Sequence, residues 1–401
     1  MERAPPRFKF FVRVIMFGGN QLEDRPFSFL YLLYQTFCVL PAYGYWMGEV
    51  IDLTLNWRDF KRVLETATAL LPITACVWTN IYIKFKRRSF QEMILLADQF
   101  VWEHLPKRDP ETGFPTKAGI IAVIEKVAVT ASLCCLIPTW VYMAYRTFQS
   151  RQNLGLNAWL PFDTSYSPLH EFMLFFQIYF TIFNAANFYG YMTLYAICIS
   201  IACTQLQQVG MQLDIYRQEK EEEEAENKGS PDVVERHDDD EENERLNNAI
   251  KLHQKTLDLM NAMESTLNLL ILGHFMLIMI ASCFACFSAV VTWGDMESLL
   301  LVALVFLSMP ILLVMYCMLG EELTIETEEL DDSIWFCNWV GANLKQQRSI
   351  LFMKAVSSKE FCLTAGGFIP VSRNTMSVVV NQVMSYTMFL INVKEENENR
   401  A

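Results

Sequence analysis

The sequence predicts an all-α polytopic membrane protein with seven spanning helices, and three observations carry that prediction. Of the 401 residues 52% are hydrophobic and 13% aromatic, while only 19% are charged, against about 25% in a typical soluble domain. Seven apolar runs approach or exceed the ~20 residues a helix needs to cross ~30 Å of hydrocarbon. Lysine and arginine also concentrate in alternate loops between those runs. The net charge of −13 is local rather than global, since Glu219 to Glu244 contribute 14 acids against Lys220, Lys228 and Arg236.

Residues 1–28 are mixed and basic, without the charged, apolar, then small-residue pattern of a cleaved leader, so the first run is expected to act as its own insertion signal. That run is Phe29 to Gly48, with Pro41 inside it. The second, Leu64 to Ile83, holds Pro72 and stops at Lys84, Lys86, Arg87 and Arg88. The third, Ala118 to Tyr145, is interrupted only by Glu125 and Lys126 near its start. The fourth, Phe172 to Thr204, is too long for one bilayer and continues into the polar stretch Gln205 to Arg217, so residues 29–217 form a first bundle.

Residues 218–245 are acidic, with Gly229, Ser230 and Pro231 in the middle, and are expected to be a disordered solvated loop. A calcium- or partner-sensing role is the sharper alternative for it. Residues 246–319 follow. Leu246 to Leu267 has helical apolar spacing but too much charge for lipid, and it flows directly into the fifth run, Leu269 to Val291. One helix about twice membrane length is expected there. After a turn at Thr292 to Glu297 comes the sixth run, Ser298 to Leu319. Residues 320–366 are polar and helical in pattern from Glu321 to Lys359, and Gly366, Gly367 and Pro370 break that piece from the last helix, 367–393, and its tail, 394–401.

Positively charged loops stay in the cytoplasm. The N-terminal segment carries Arg3, Arg7, Lys9, Arg13 and Arg25, the loop from Lys84 to Lys117 seven bases, and the sixth loop Lys345, Arg348, Lys354 and Lys359. The opposite loops are poorer, so the N-terminus is expected in the cytoplasm and the C-terminus outside. A G-protein-coupled receptor has the reverse orientation, and its Asp-Arg-Tyr and Asn-Pro-x-x-Tyr signatures are absent.

Other classes fit less well. The five histidines have no metal-ligand spacing, and Cys283 and Cys286 form a C-x-x-C inside an apolar helix, where two small packing residues are the simpler account. No phosphate-binding or nucleophile-elbow motif occurs, so neither an enzyme nor a cofactor is expected. Nothing points to nucleic acid. A transporter would show an internal repeat and charged midplane residues, and neither is present. The 11 cysteines fall in apolar segments or, for Cys337 and Cys362, in expected cytoplasm, so free thiols are expected. No Asn-x-Ser/Thr sequon exists to report topology.

Leu363, Thr364, Ala365, Gly366, Gly367, Phe368, Ile369, Pro370, Val371, Ser372 and Thr375, then Ser385, Tyr386, Phe389 and Leu390, resemble the C-terminal signature of insect odorant receptors. Gly320, Glu321, Leu323, Trp335 and Trp339 are similar to that family's sixth loop, although a Tyr is commoner at 335 and a Phe at 376. Leu160, Pro161, Phe162 and Asp163, ahead of Ser167 and Pro168, resemble the loop before its fourth helix. Gustatory receptors share the architecture and are the alternative. The Leu160 to Asp163 loop and the missing Gln-Phe ending favour the odorant branch, and the short second cytoplasmic loop favours an odour-specific subunit over the shared co-receptor.

The resemblance implies the odorant-binding subunit of a heterotetrameric, ligand-gated, non-selective cation channel. It implies a co-receptor subunit as partner, a small apolar volatile as ligand, and a place as a multi-pass protein in the plasma membrane of olfactory sensory neuron dendrites. The extended cytoplasmic helices would form an anchor domain holding most inter-subunit contact. The last helix would line the pore, with Phe389 and Val393 as hydrophobic gate and Asn392 as a polar pore position. Residue spacing agrees: Val378, Gln382, Ser385, Phe389 and Asn392 share one helical face with three uncharged polar residues, costly against lipid and tolerated against water or a neighbour. Ordinary helix packing is the competing account of that face. The family places its ligand among the outer halves of the second to sixth helices. Those halves offer Thr68 and Leu71; Ser132, Cys135, Leu136, Thr139 and Trp140; Phe175, Phe176, Tyr179, Phe180 and Phe183; and Met279, Cys283, Phe284 and Phe287.

Overall fold

The structure, a computed structural model, describes residues 5–23, 29–102, 105–108, 113–149, 154–164, 166–227, 238–337, 339–340 and 342–400. Nearly all of it is helix. A short amphipathic α1 (Lys9–Phe17) precedes α2 (Phe29–Tyr34), a π turn (Gln35–Val39) and α3 (Leu40–Leu55), which together make one unbroken helical path across the first apolar run. Pro41 explains the π turn: without an N–H it cannot continue the i to i−4 ladder, and the slack is taken up in the preceding turn.

Then come α4 (Phe60–Phe85), α5 (Arg87–Asp98), α6 (Lys117–Gln149), α7 (Leu169–Asn227), α8 (Asp238–Val291), α9 (Met296–Trp335), α10 (Leu344–Ser357) and α11 (Arg373–Arg400). Six of these helices, α4, α6, α7, α8, α9 and α11, contain stretches long and apolar enough to cross a membrane. With the path from Phe29 to Leu55 they make the seven-span architecture that the runs predict.

The expected double-length fifth helix exists: α8 has 54 residues, about 80 Å at the α-helical rise. The fourth and sixth helices also continue past their apolar runs, to 59 and 40 residues. The expectation of disorder across 218–245 is corrected at both ends, where α7 runs to Asn227 and α8 starts at Asp238. Glutamate and lysine are good helix formers, and each end simply prolongs a helix already nucleated. Residues 228–237, where the Gly229, Ser230 and Pro231 part of that expectation falls, lie outside the described residues.

The expected helix from Glu321 to Lys359 is two helices. It stops at Trp335 and restarts after Asn343, whose side chain accepts from Lys345 N while Gln346 closes a capping box. Beyond it, 367–372 is not helix. Thr364–Ala365 (β1) pairs antiparallel with Ile369–Pro370 (β2), and Gly366 and Gly367, at φ +68° and +81°, make the turn in a backbone region that a side chain disfavours. The last helix runs on through Lys394 to Arg400 rather than ending in an irregular tail.

One large apolar core joins α1, α4, α5, α7, α8, α9 and the hairpin. Neither α1 nor α5 was assigned from the sequence. They bury Phe11, Val12 and Ile15, and Phe90, Met93, Ile94 and Ala97, against it. Past the apolar runs, Lys117 of α6 pairs with Glu322 and Glu326 of α9, and Gln207 of α7 donates to Glu326 at 2.7 Å. Burial raises the Glu326 pKa. Lys354 of α10 meets Asp331 at 2.6 Å. The cysteines whose side chains are described are free thiols.

Candidate functional site

Within the apolar bundle α4, α6, α7 and α9 enclose a cavity of about 170 Å³. An apolar cavity of about 150 Å³ already holds benzene. Three of the four helices carry an interior proline near it: Pro72 lines the cavity, Pro138 precedes the lining residue Thr139, and Pro310 follows the lining residue Met309. Each proline removes a backbone hydrogen bond and bends its helix, which keeps the four from closing along their length.

The walls are mostly aliphatic and aromatic, with few polar groups. Thr139, Thr181 and Ser308 each donate their hydroxyl to a carbonyl of their own helix, Cys135, Ile178 and Val305, at 2.8, 2.8 and 3.2 Å. Their oxygens are left as acceptors only. Asn184 spends one of its N–H bonds on Phe180 O at 2.9 Å, which leaves its second as a donor near the cavity. Such a lining suits a small apolar molecule with at most one or two polar atoms.

Polar ties lie one turn or so beyond the lining residues at both ends of the cavity. One turn past Tyr142, Ala69 and Leu301, the buried Arg146 donates to Glu65 at 2.9 Å, and Ser298 Oγ donates to the same carboxylate at 3.2 Å. Lys61 and Asp295 extend the pairing outward at 2.5 Å, and Arg62 grips the buried Asp52 beside it. At the other end Phe188 stacks edgewise on His274, ring centroids 5.5 Å apart. The Thr79 hydroxyl already donates to Ala75 O, so it accepts from His274 Nε2 at 2.9 Å, which leaves Nδ1 to accept from the Tyr316 hydroxyl at 2.6 Å.

The structure brings together only part of the residue set singled out from the sequence. Cys135, Leu136 and Thr139 line the cavity. Trp140 lies just behind it, its indole N–H donating to Thr181 Oγ1 at 2.9 Å. Thr68 is fully buried and bonded to Leu64 O, Leu71 packs against the main core, and Ser132 donates to Ala128 O. Phe176, Tyr179, Phe180 and Phe183 turn to the other side of α7, against Val39, Ala42 and Tyr45 of the first span. Phe287 packs on Phe60, Cys283 approaches Val383 O, and Phe284 is partly exposed. Sequence reasoning did not name Ile73, Asn184, Leu301, Leu304, Ser308 or Met309, which also line the cavity. Its sixth run is apolar all round, so no periodicity marks its inward face.

The last helix is held differently. Among its described side chains Thr375, Val383 and Thr387, at steps of eight and four, are buried, seated on α8 and α9. Gln382, Ser385, Phe389, Asn392 and Val393 are all exposed, with Phe389 at 63%. Its start is fixed by the motif residues: Arg373 N donates to Glu321 at 3.2 Å, and Thr375 Oγ1 to Pro370 O at 2.6 Å. The hairpin before it is tied to α8 by Thr364 N to Glu264 and Gly366 N to Asn268 O, both 2.9 Å. Among the described residues no three His, Cys, Asp or Glu side chains gather as a metal site.

Comparison with known proteins places this arrangement. Residues 59–384 match the family model described as 7tm Odorant receptor. The chain is 28% identical over 155 residues to the putative odorant receptor 92a of Drosophila melanogaster, covering 39% of this chain and 37% of that protein. It is 20% identical over 368 residues to odorant receptor 67c of the same species, covering 86% and 83%. The match to odorant receptor 92a thus spans little more than a third of that relative's length. The solved insect olfactory receptor OR5 from Machilis hrabei superposes with a TM-score of 0.75, and its complex with eugenol with 0.74. Each covers 96% of this chain and 97% of that one at 14% identity, a likeness of fold. This chain belongs to the seven-transmembrane odorant receptor family.

Proposed function

We propose that the chain is the odour-binding subunit of a ligand-gated cation channel, assembled as a heterotetramer with a co-receptor subunit in the plasma membrane of olfactory sensory neuron dendrites. Its N-terminus would be cytoplasmic, because the base-rich loops lie on that side. The cavity among α4, α6, α7 and α9 would take a small apolar volatile, held by dispersion and stacking at modest affinity.

One observation carries the channel part of this reading. A spanning helix that buries one narrow stripe and exposes Gln382, Ser385 and Asn392 needs other subunits and water, not lipid, on its far side. Phe389 and Val393 would then close the pore by dewetting. The exposed apolar groups of the extensions, Trp335, Phe336, Leu344 and Phe352 among them, would be covered by the same assembly.

The test is current recorded from cells expressing the chain with and without the co-receptor against a panel of volatiles. Leu304→Trp, which fills the cavity, is expected to raise the half-maximal odour concentration at least tenfold. Asn392→Cys is expected to make the current sensitive to a charged thiol reagent applied outside. Odour-evoked current that requires G-protein signalling would overturn the channel.

A further inference from the structure

We propose that the chain has a second ligand site, for a small flat aromatic molecule, in a cavity between α3, the loop at 159–162 and the first turns of α7. The space is about 490 Å³, larger than the cavity in the bundle at about 170 Å³. It is the place to which the aromatic face of α7 and the Leu160 to Phe162 motif both turn, and neither takes part in the site described above.

Two glycines build it. Pro41, Gly44, Gly48 and Ile51 follow one another on one face of α3. At Gly48 the loop docks directly: Trp159 N donates to Gly48 O at 2.9 Å, and a Cβ there would meet Trp159 O at 2.7 Å. At Gly44, one turn earlier, a Cβ would meet nothing within 4 Å. The loop is thus pinned at one glycine, while the helix surface stays bare at the other. That bare surface is the floor of the cavity.

The lining chemistry selects the ligand. Rings of Tyr45, Trp159, Phe162, Phe172 and Phe176 line it, and Tyr45 and Phe176 stand nearly edge to face, 5.8 Å apart at 62°. The Tyr45 hydroxyl is spent on Leu156 O at 3.1 Å and on Gln177, so it offers its ring rather than its oxygen. Walls of ring faces and edges with spent polar groups favour a planar aromatic partner over a flexible acyl chain, which would gain no stacking. Phe37 and Phe172, 72% and 63% exposed, stand at the mouth, a natural approach for a molecule partitioned into the membrane interface.

The test is photolabelling of the full chain in membranes with 1-azidonaphthalene, followed by peptide mapping. Adducts are expected within 37–51 and 159–176. Excess naphthalene should remove them and oleic acid should not. Gly44→Leu, which puts a side chain into open space, should lower labelling of those peptides at least fivefold and leave any adducts at 135–142 and 301–312 unchanged. Phe162→Ala, at an exposed ring, is the second variant and should lower it in the same peptides. Absence of these adducts, labelling unchanged in both variants, or displacement by oleic acid but not naphthalene would overturn the proposal, the last by making the occupant a lipid chain. Labelling requires no current, so this result and the channel reading fail separately.

Discussion

α7 and α11 each carry a stretch apolar enough to span a membrane, and by hydropathy the two stretches are equal. Yet 89% of the α7 stretch is buried inside the chain, and 11% of the α11 stretch. The difference lies in what each helix is for. α7 is packed on by α1, α4, α5, α6, α8 and α9, so its side chains are chosen for fit. Among the described residues α11 packs mainly on α8 and α9, so most of its surface is left uncovered by the chain itself.

Substitutions should expose that contrast, beginning with the largest effect. Tyr195 on α7 is fully buried, and its hydroxyl donates to Tyr316 O at 3.1 Å. Tyr195→Ala should cost about 3–5 kcal/mol, read as a lower thermal unfolding temperature of the solubilised chain. A wild-type midpoint would show that α7 is not the core. Next, Glu65→Gln removes the charge facing the buried Arg146 and should cost about 3 kcal/mol, while shifting odour sensitivity because the pair sits one turn beyond the cavity residues Ala69 and Tyr142.

Acid should act on α8 outside its apolar run. Burial lowers the His253 pKa to about 4 from an ordinary 6.5. Between those values the unfolded chain binds more protons than the folded one, so stability falls as pH drops through 6.5 toward 4. At pH 5 the loss from this group should be about 2 kcal/mol. His253→Gln should flatten the unfolding profile over that window, and an unchanged slope would reject the assignment. The smallest effect on stability is expected at Phe389→Ala on the exposed face of α11, within about 0.5 kcal/mol. The same variant should alter conduction, and one that changed neither stability nor current would reject the pore role proposed for α11.

Facing was the part hardest to read. The helices of the bundle could be placed from their apolar runs because length and charge are one-dimensional signals. Phe176, Tyr179, Phe180 and Phe183 were expected at the ligand site because they lie in the outer half of the fourth helix, where the family resemblance places the ligand. They turn instead to the first span, where they pack with Val39, Ala42 and Tyr45 beside the bare surface at Gly44. α1 and α5 were missed for a related reason: at 9 and 12 residues they are too short to span a membrane and each carries basic residues, so only docking onto α7 and α8 reveals them as structural.

By itself, then, the sequence determined seven spans, a fifth of about twice membrane length, a fourth that projects past the bilayer, and a break between polar helix and last span at Gly366 and Gly367. Hydrophobic length, charge and turn chemistry suffice for each of those. Only the tertiary structure decided which faces meet. The cavity is assembled from α4, α6, α7 and α9, far apart in the chain, and a helix apolar on every side carries no mark of the side it will bury.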